Sequence, residues 1–94
     1  MISKNQIKQV KALHLKKFRD EEKLFIAEGI KVVNEIINTN PEIIHQLFVT
    51  ESYLQGNSNA LLNTKVEYIA INDEDLKKIS TKSQPNNALA VCYY

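Results

Sequence analysis

The 94 residues, 44% hydrophobic and 24% charged, suffice for one small domain over residues 1–94 and exclude a disordered or collagen-like chain. No apolar run approaches the ~20 residues that span a bilayer, the N-terminus lacks the apolar stretch of a signal peptide, and the lone Cys92 cannot staple a secreted fold, so a cytoplasmic setting without a membrane partner is expected. The net charge of +1 conceals an asymmetry: residues 1–19 carry Lys4, Lys8, Lys11, Lys16, Lys17 and Arg19 and no acid, whereas all 11 acidic residues lie beyond them.

Ser3 followed by Gln6 fits a capping box at a helix start. Ile7, Val10, His14 and Phe18, with Leu13 beside them, then form one apolar stripe. Lys4, Lys8 and Lys11 fall together on another side of the same helix, which is predicted to end near Arg19-Asp20-Glu21-Glu22. Leu24-Phe25-Ile26-Ala27 reads as a strand buried on both faces. Glu28-Gly29 closes it, and Ile30, Val33, Ile36 and Ile37 open a helix that Asn38-Thr39-Asn40-Pro41 stops. Residues 46–50 form a second strand, and a short helix at 52–55, a loop at 56–59 and a helical turn at 60–63 follow. Residues 66–71 make a third strand, Asn72 or Asp73 caps a helix through Ile79, residues 80–87 form a polar loop, and residues 88–94 make the fourth strand. This α-β-α-β-α-β-α-β order predicts a sheet with parallel pairs and helices on both faces. The chain halts on its last strand, which suggests a fragment ahead of a further domain.

Enzyme signatures are missing: there is no G-x-S-x-G, P-loop or H-E-x-x-H, and two glycines are too few for a dinucleotide turn. No catalytic, cofactor-binding or metal residue is therefore expected within the chain. Asp73-Glu74-Asp75 is explained by the positive end of its helix dipole. The best functional constellation is Lys4, Asn5, Lys8, Lys11, Lys16, Lys17 and Arg19. RNA binding needs cations for phosphates and polar groups for base edges or 2′-hydroxyls, the role open to Asn5, while Arg19 adds a planar group that grips phosphate or stacks on a base. The competing explanation is a solvated helix face. Glu28 and Gly29 are the second feature, since glycine at a strand-to-helix turn permits positive φ. Lys31 then sits in a first helical turn, where the dipole disfavours a cation, and this points to an external phosphate. For the polar loop at 80–87, function and plain connection stay equally open.

These segments together resemble the N-terminal substrate-binding domain of SpoU/TrmH-family RNA ribose 2′-O-methyltransferases. Ile2-Ser3-Lys4-Asn5-Gln6-Ile7-Lys8 resembles the family's opening I-S-x-x-N-x-x-[IV]-K with shortened spacing. Lys17-Phe18-Arg19 followed by Phe25-Ile26-Ala27-Glu28-Gly29 matches its basic K-x-R and its F-x-x-E-G. Thr81, Gln84, Pro85 and Asn87-Ala88-Leu89-Ala90-Val91 resemble its T-x-x-[PQ]-x-G-x-[LI]-A-V, with Asn87 where glycine is usual. The resemblance implies a three-layer α/β/α sandwich with a mixed four-stranded sheet, similar to kink-turn-binding ribosomal proteins and preceded by a basic N-terminal helix. It also implies a parent with a C-terminal knotted domain that binds S-adenosyl-L-methionine, methylates rRNA or tRNA and forms a homodimer through that domain. The alternatives are a stand-alone RNA-binding protein of the ribosomal kink-turn type and a protein–protein module whose basic helix docks an acidic partner.

Overall fold

The computed structural model describes residues 2–64 and 66–94. Their elements follow in the order α1 Lys4–Ala12, α2 Lys16–Glu22, β1 Leu24–Glu28, α3 Ile30–Thr39, β2 Ile44–Val49, α4 Glu51–Thr64, β3 Ile69–Ala70, α5 Asp73–Ile79 and β4 Ala88–Tyr93, with a 3-10 turn at Pro41–Ile43. The sheet order is β1-β4-β2-β3. β4 lies antiparallel to both β1 and β2, and β2–β3 is a parallel pair.

Side-chain alternation along β4 sets the layers. Ala88, Ala90 and Cys92 pack against Val33 and Ile37 of α3 and Tyr53 and Leu61 of α4. Leu89 and Val91 point the other way, onto Val10 and Leu13 of the N-terminal segment and Leu76 and Ile79 of α5. A strand covered on both faces has no side to give to water, which explains its unbroken apolar run. Full burial of Leu89 or Val91 is worth about 1.5–3 kcal/mol each. The result is the expected three-layer α/β/α sandwich with a mixed four-stranded sheet and a basic helix at its start. No helix among the described residues is long and apolar enough to cross a membrane.

Four local expectations are corrected. The single helix predicted through residue 22 breaks at Leu13–Leu15, where Leu15 is extended and 59% exposed. Two side chains hold the break: Arg19 Nη1 donates to the Leu13 and His14 carbonyls, 3.0 Å each, and His14 Nε2 donates to the Ile79 carbonyl at 2.8 Å. Thr50, predicted to end a strand, instead starts α4, its Oγ1 accepting from Tyr53 N at 3.3 Å. The predicted loop at 56–59 is a kink within α4, where only Asn57 leaves helical geometry. Its side chain accepts from Asn34 Nδ2 at 2.9 Å and donates to the Tyr53 carbonyl at 3.2 Å, so the kink is tied to α3. The third strand shrinks to Ile69–Ala70, because only Phe48 and Val49 of β2 pair with it and Glu67 and Tyr68 face solvent.

Candidate nucleic-acid interface

The capping box forms as predicted: Gln6 N donates to Ser3 Oγ at 3.1 Å and Ser3 N to Gln6 Oε1 at 2.8 Å. Val10 and Leu13 anchor the inner side of the helix in the core. That fixes the outward side, on which Lys4, Asn5, Lys8 and Lys11 are all exposed. Lys8 also borders a cleft of about 450 Å³ floored by Val10, Leu13, Phe18, Leu24 and Val91.

α2 starts afresh after Leu15, so its cations do not continue the row on α1. Lys16 pairs with Asp20 at 3.2 Å across an exposed helical turn, a contact of little energetic weight in solvent. Lys17 Nζ lies 5.7 Å from the centre of the Phe18 ring. Arg19 is half-buried and spends Nη1 on the carbonyls at the C-terminus of α1, where a cation complements the helix dipole. Lys23 adopts φ 59°, which ends α2 and turns the chain into β1.

The Glu28–Gly29 turn is built from both ends of the sequence. β1–β4 pairing sets Glu28 opposite Leu89, and Gly29 N donates to the Ala88 carbonyl at 2.9 Å. Glu28 turns its carboxylate to the loop before β4 rather than to solvent. Its Oε1 accepts from Ser80 Oγ, and its Oε2 accepts from Thr81 Oγ1 and from Thr81 N at 3.0 Å. Lys82 N donates to Ser80 Oγ at 2.9 Å, which draws Lys82 into the same group. Lys82 Nζ lies 3.9 Å from the point where a Gly29 Cβ would stand. Lys31 is exposed in the first turn of α3, which carries no acid and no side-chain cap. At the far end of the loop Asn87 takes φ 57°, and its Oδ1 accepts from Thr50 Oγ1 at 3.1 Å, so asparagine fills the glycine position.

Of the sequence-predicted residues, Lys8 lines one cleft and Arg19 and Glu28 another, while Lys4, Asn5, Lys11, Lys16, Lys17, Gly29 and Lys31 line neither. Lys8 borders the one at Leu24. Arg19 borders the other, of about 370 Å³, with Leu13, Phe25, Ile26, Thr81 and Lys82 around it and Glu28 in its wall. Leu13 contributes to both, and along β1 the first takes Leu24 and the second Phe25, Ile26 and Glu28. Lys82 was not singled out from the sequence. Thr81 belonged to the tail motif, but only the fold brings its neighbour to Gly29. A further cleft of about 540 Å³ is lined by Glu51, Asp73 and Asp75 and carries the wrong charge for a polyanion. Among the described residues, no three of His, Cys, Asp or Glu are grouped to hold a metal ion.

A family model described as the MRM3-like substrate binding domain matches residues 4–90. A protein described as a TrmH-family RNA methyltransferase, from Porphyromonas gingivalis, is 31% identical, with 99% of this chain and 36% of that one covered and a TM-score of 0.77. Two more distant structures share the fold. An RNA 2′-O ribose methyltransferase is 22% identical, with 97% of this chain and 35% of that one covered at a TM-score of 0.73. A SpoU methyltransferase from Streptomyces viridochromogenes, in complex with AdoMet, is 17% identical, with 94% of this chain and 32% of that one covered at 0.69. The chain therefore spans about a third of the length of these solved proteins. The comparison with curated proteins gives no match. These matches do not favour the stand-alone kink-turn binder. The chain belongs to the MRM3-like substrate-binding domain family, and the solved proteins that share its fold are SpoU/TrmH-type RNA methyltransferases.

Proposed function

We propose that the chain captures structured rRNA or tRNA for a cytoplasmic ribose 2′-O-methyltransferase of which it is one domain. The observation that carries this reading is the row Lys4, Lys8 and Lys11, held outward because Val10 and Leu13 are locked in the core. Cations fixed on a rigid helix neutralise successive phosphates without first paying to order the backbone. In this reading Asn5, exposed beside the row, meets a 2′-hydroxyl or base edge, and Lys16, Lys17, Arg19, Lys31 and the Glu28–Gly29 turn extend the surface. The 2′-O ribose methyltransferase and the AdoMet complex among the solved relatives support the finer reading. In it, S-adenosyl-L-methionine supplies the methyl group in a separate domain of the parent, which also forms the homodimer.

Replacing Lys8 and Lys11 together by glutamate tests the surface. Both are exposed, so the fold should survive. Loss of two phosphate contacts should weaken RNA binding by about thirtyfold at 0.15 M salt. Unchanged affinity in a folded variant would overturn the reading.

A further inference from the structure

The RNA-recognition reading includes Arg19 and the Glu28–Gly29 turn without saying what the cleft that Arg19 and Lys82 share would hold. Its volume of about 370 Å³ falls within the roughly 300–1,000 Å³ of sites that take small molecules or parts of larger ones. Leu13, Phe25 and Ile26 line it together with the two cations. Among the described residues Lys82 Nζ makes no salt bridge, and Arg19 uses only Nη1 within the fold. Glu28 is the nearest acid, yet it does not pair with either cation. Both of its oxygens are taken up by Ser80 and Thr81.

A carboxylate in the wall of an anion site is electrostatically costly, so it calls for a reason. The hydrogen bonds supply one. Glu28 accepts from Ser80 Oγ and Ser80 Oγ accepts from Lys82 N, so the backbone of Lys82 is held beside β1 and its Nζ reaches Gly29, where the missing side chain leaves the approach open. The same carboxylate lowers the net charge of the cleft to about that of one cation, which suits a singly charged phosphodiester better than a free dianion.

Resting on the RNA-recognition reading, we infer that Arg19 and Lys82 form a subsite for one phosphodiester of the RNA backbone, and that Glu28 is the positioning residue that holds Lys82 in it.

The test is a salt titration of binding to deproteinised ribosomal RNA and to bulk transfer RNA, with the wild-type chain, Lys82→Gln, Glu28→Gln and the double variant. Lys82→Gln should reduce the magnitude of the log–log salt slope by about 0.7–0.9 and weaken binding roughly fivefold at 0.15 M salt. Glu28→Gln should lose the same slope, and the double variant should be no worse than Lys82→Gln alone. Simple charge logic predicts the opposite for Glu28→Gln, since removing an acid from an RNA-binding surface strengthens binding. Tighter binding by that variant, or a wild-type slope in a merely less stable protein, would overturn the positioning role. Should Glu28→Gln fail to fold, Ser80→Ala carries the same test, since it removes the hydroxyl that links Glu28 to Lys82 N. A wild-type slope for Lys82→Gln would overturn the subsite while leaving RNA recognition intact, and no RNA binding by the wild type would overturn both. Millimolar inorganic phosphate at constant ionic strength should not compete; specific competition would overturn the assignment to a phosphodiester.

Discussion

Gly29 stands at φ 102° and ψ 152°, a backbone region open essentially to glycine alone. Its alanine variant isolates the cost of that conformation. The nearest heavy atom to the added Cβ would be Lys82 Nζ at 3.9 Å, an ordinary contact with the end of a flexible chain. Crowding adds little, so backbone strain carries the effect, about 1–3 kcal/mol. In a domain of this size 1 kcal/mol moves the melting temperature by roughly 4–8 °C, so a mid-range loss of about 2 kcal/mol lowers Tm by roughly 8–16 °C. Gly56 is the built-in control: it is exposed in α4, and nothing lies within 4 Å of its added Cβ. Gly56→Ala should stabilise the fold by about 0.5–1 kcal/mol. Thermal melts followed by far-UV circular dichroism, backed by urea titrations, decide the matter. A Gly29→Ala protein that melts with the wild type would refute the backbone argument, as would equal losses at both glycines.

Two further stability predictions come from the core. Tyr53→Phe removes the hydroxyl that donates to Asn34 Oδ1 at 2.5 Å and unties the α3–α4 contact at the Asn57 kink, at a cost of about 1–3 kcal/mol. A lower urea midpoint with an unchanged slope is the expected result, and an unmoved midpoint counts against the network. Burial pushes the Cys92 thiol up from 9.0 to about 11, and it raises Tyr53 above its ordinary 10.0. As pH rises the unfolded chain gives up these protons first, so their contribution to stability is complete below pH 9 and is lost as pH climbs toward 11. Urea midpoints should therefore fall over that window, and less steeply in Cys92→Ala; identical profiles for the two proteins would contradict the burial argument.

The sequence reveals what is local. Val10 and Leu13 on one side of a helix and lysines on the other follow from a 3.6-residue period. β4 is legible as a strand because its apolar run is continuous, and the Ser3–Gln6 box because its two residues sit one turn apart. What stayed hidden depends on residues far apart in the chain. The break after α1 is held by a histidine reaching a carbonyl 65 residues away. The Glu28 clamp spans 52 and 53 residues and exists only because β4 inserts beside β1. Without that pairing Lys82 is one more lysine in a polar loop. Arg19, read as a group that grips phosphate or stacks on a base, shares itself between the end of α1 and the cleft, a division that composition does not encode.

The most direct test of the account is the salt dependence of the wild-type chain's affinity for a folded ribosomal or transfer RNA fragment. With roughly four phosphates neutralised, log K should fall linearly with log salt at a slope of about −3 to −4. An affinity indifferent to salt, or no affinity for either RNA, would contradict substrate capture by this surface.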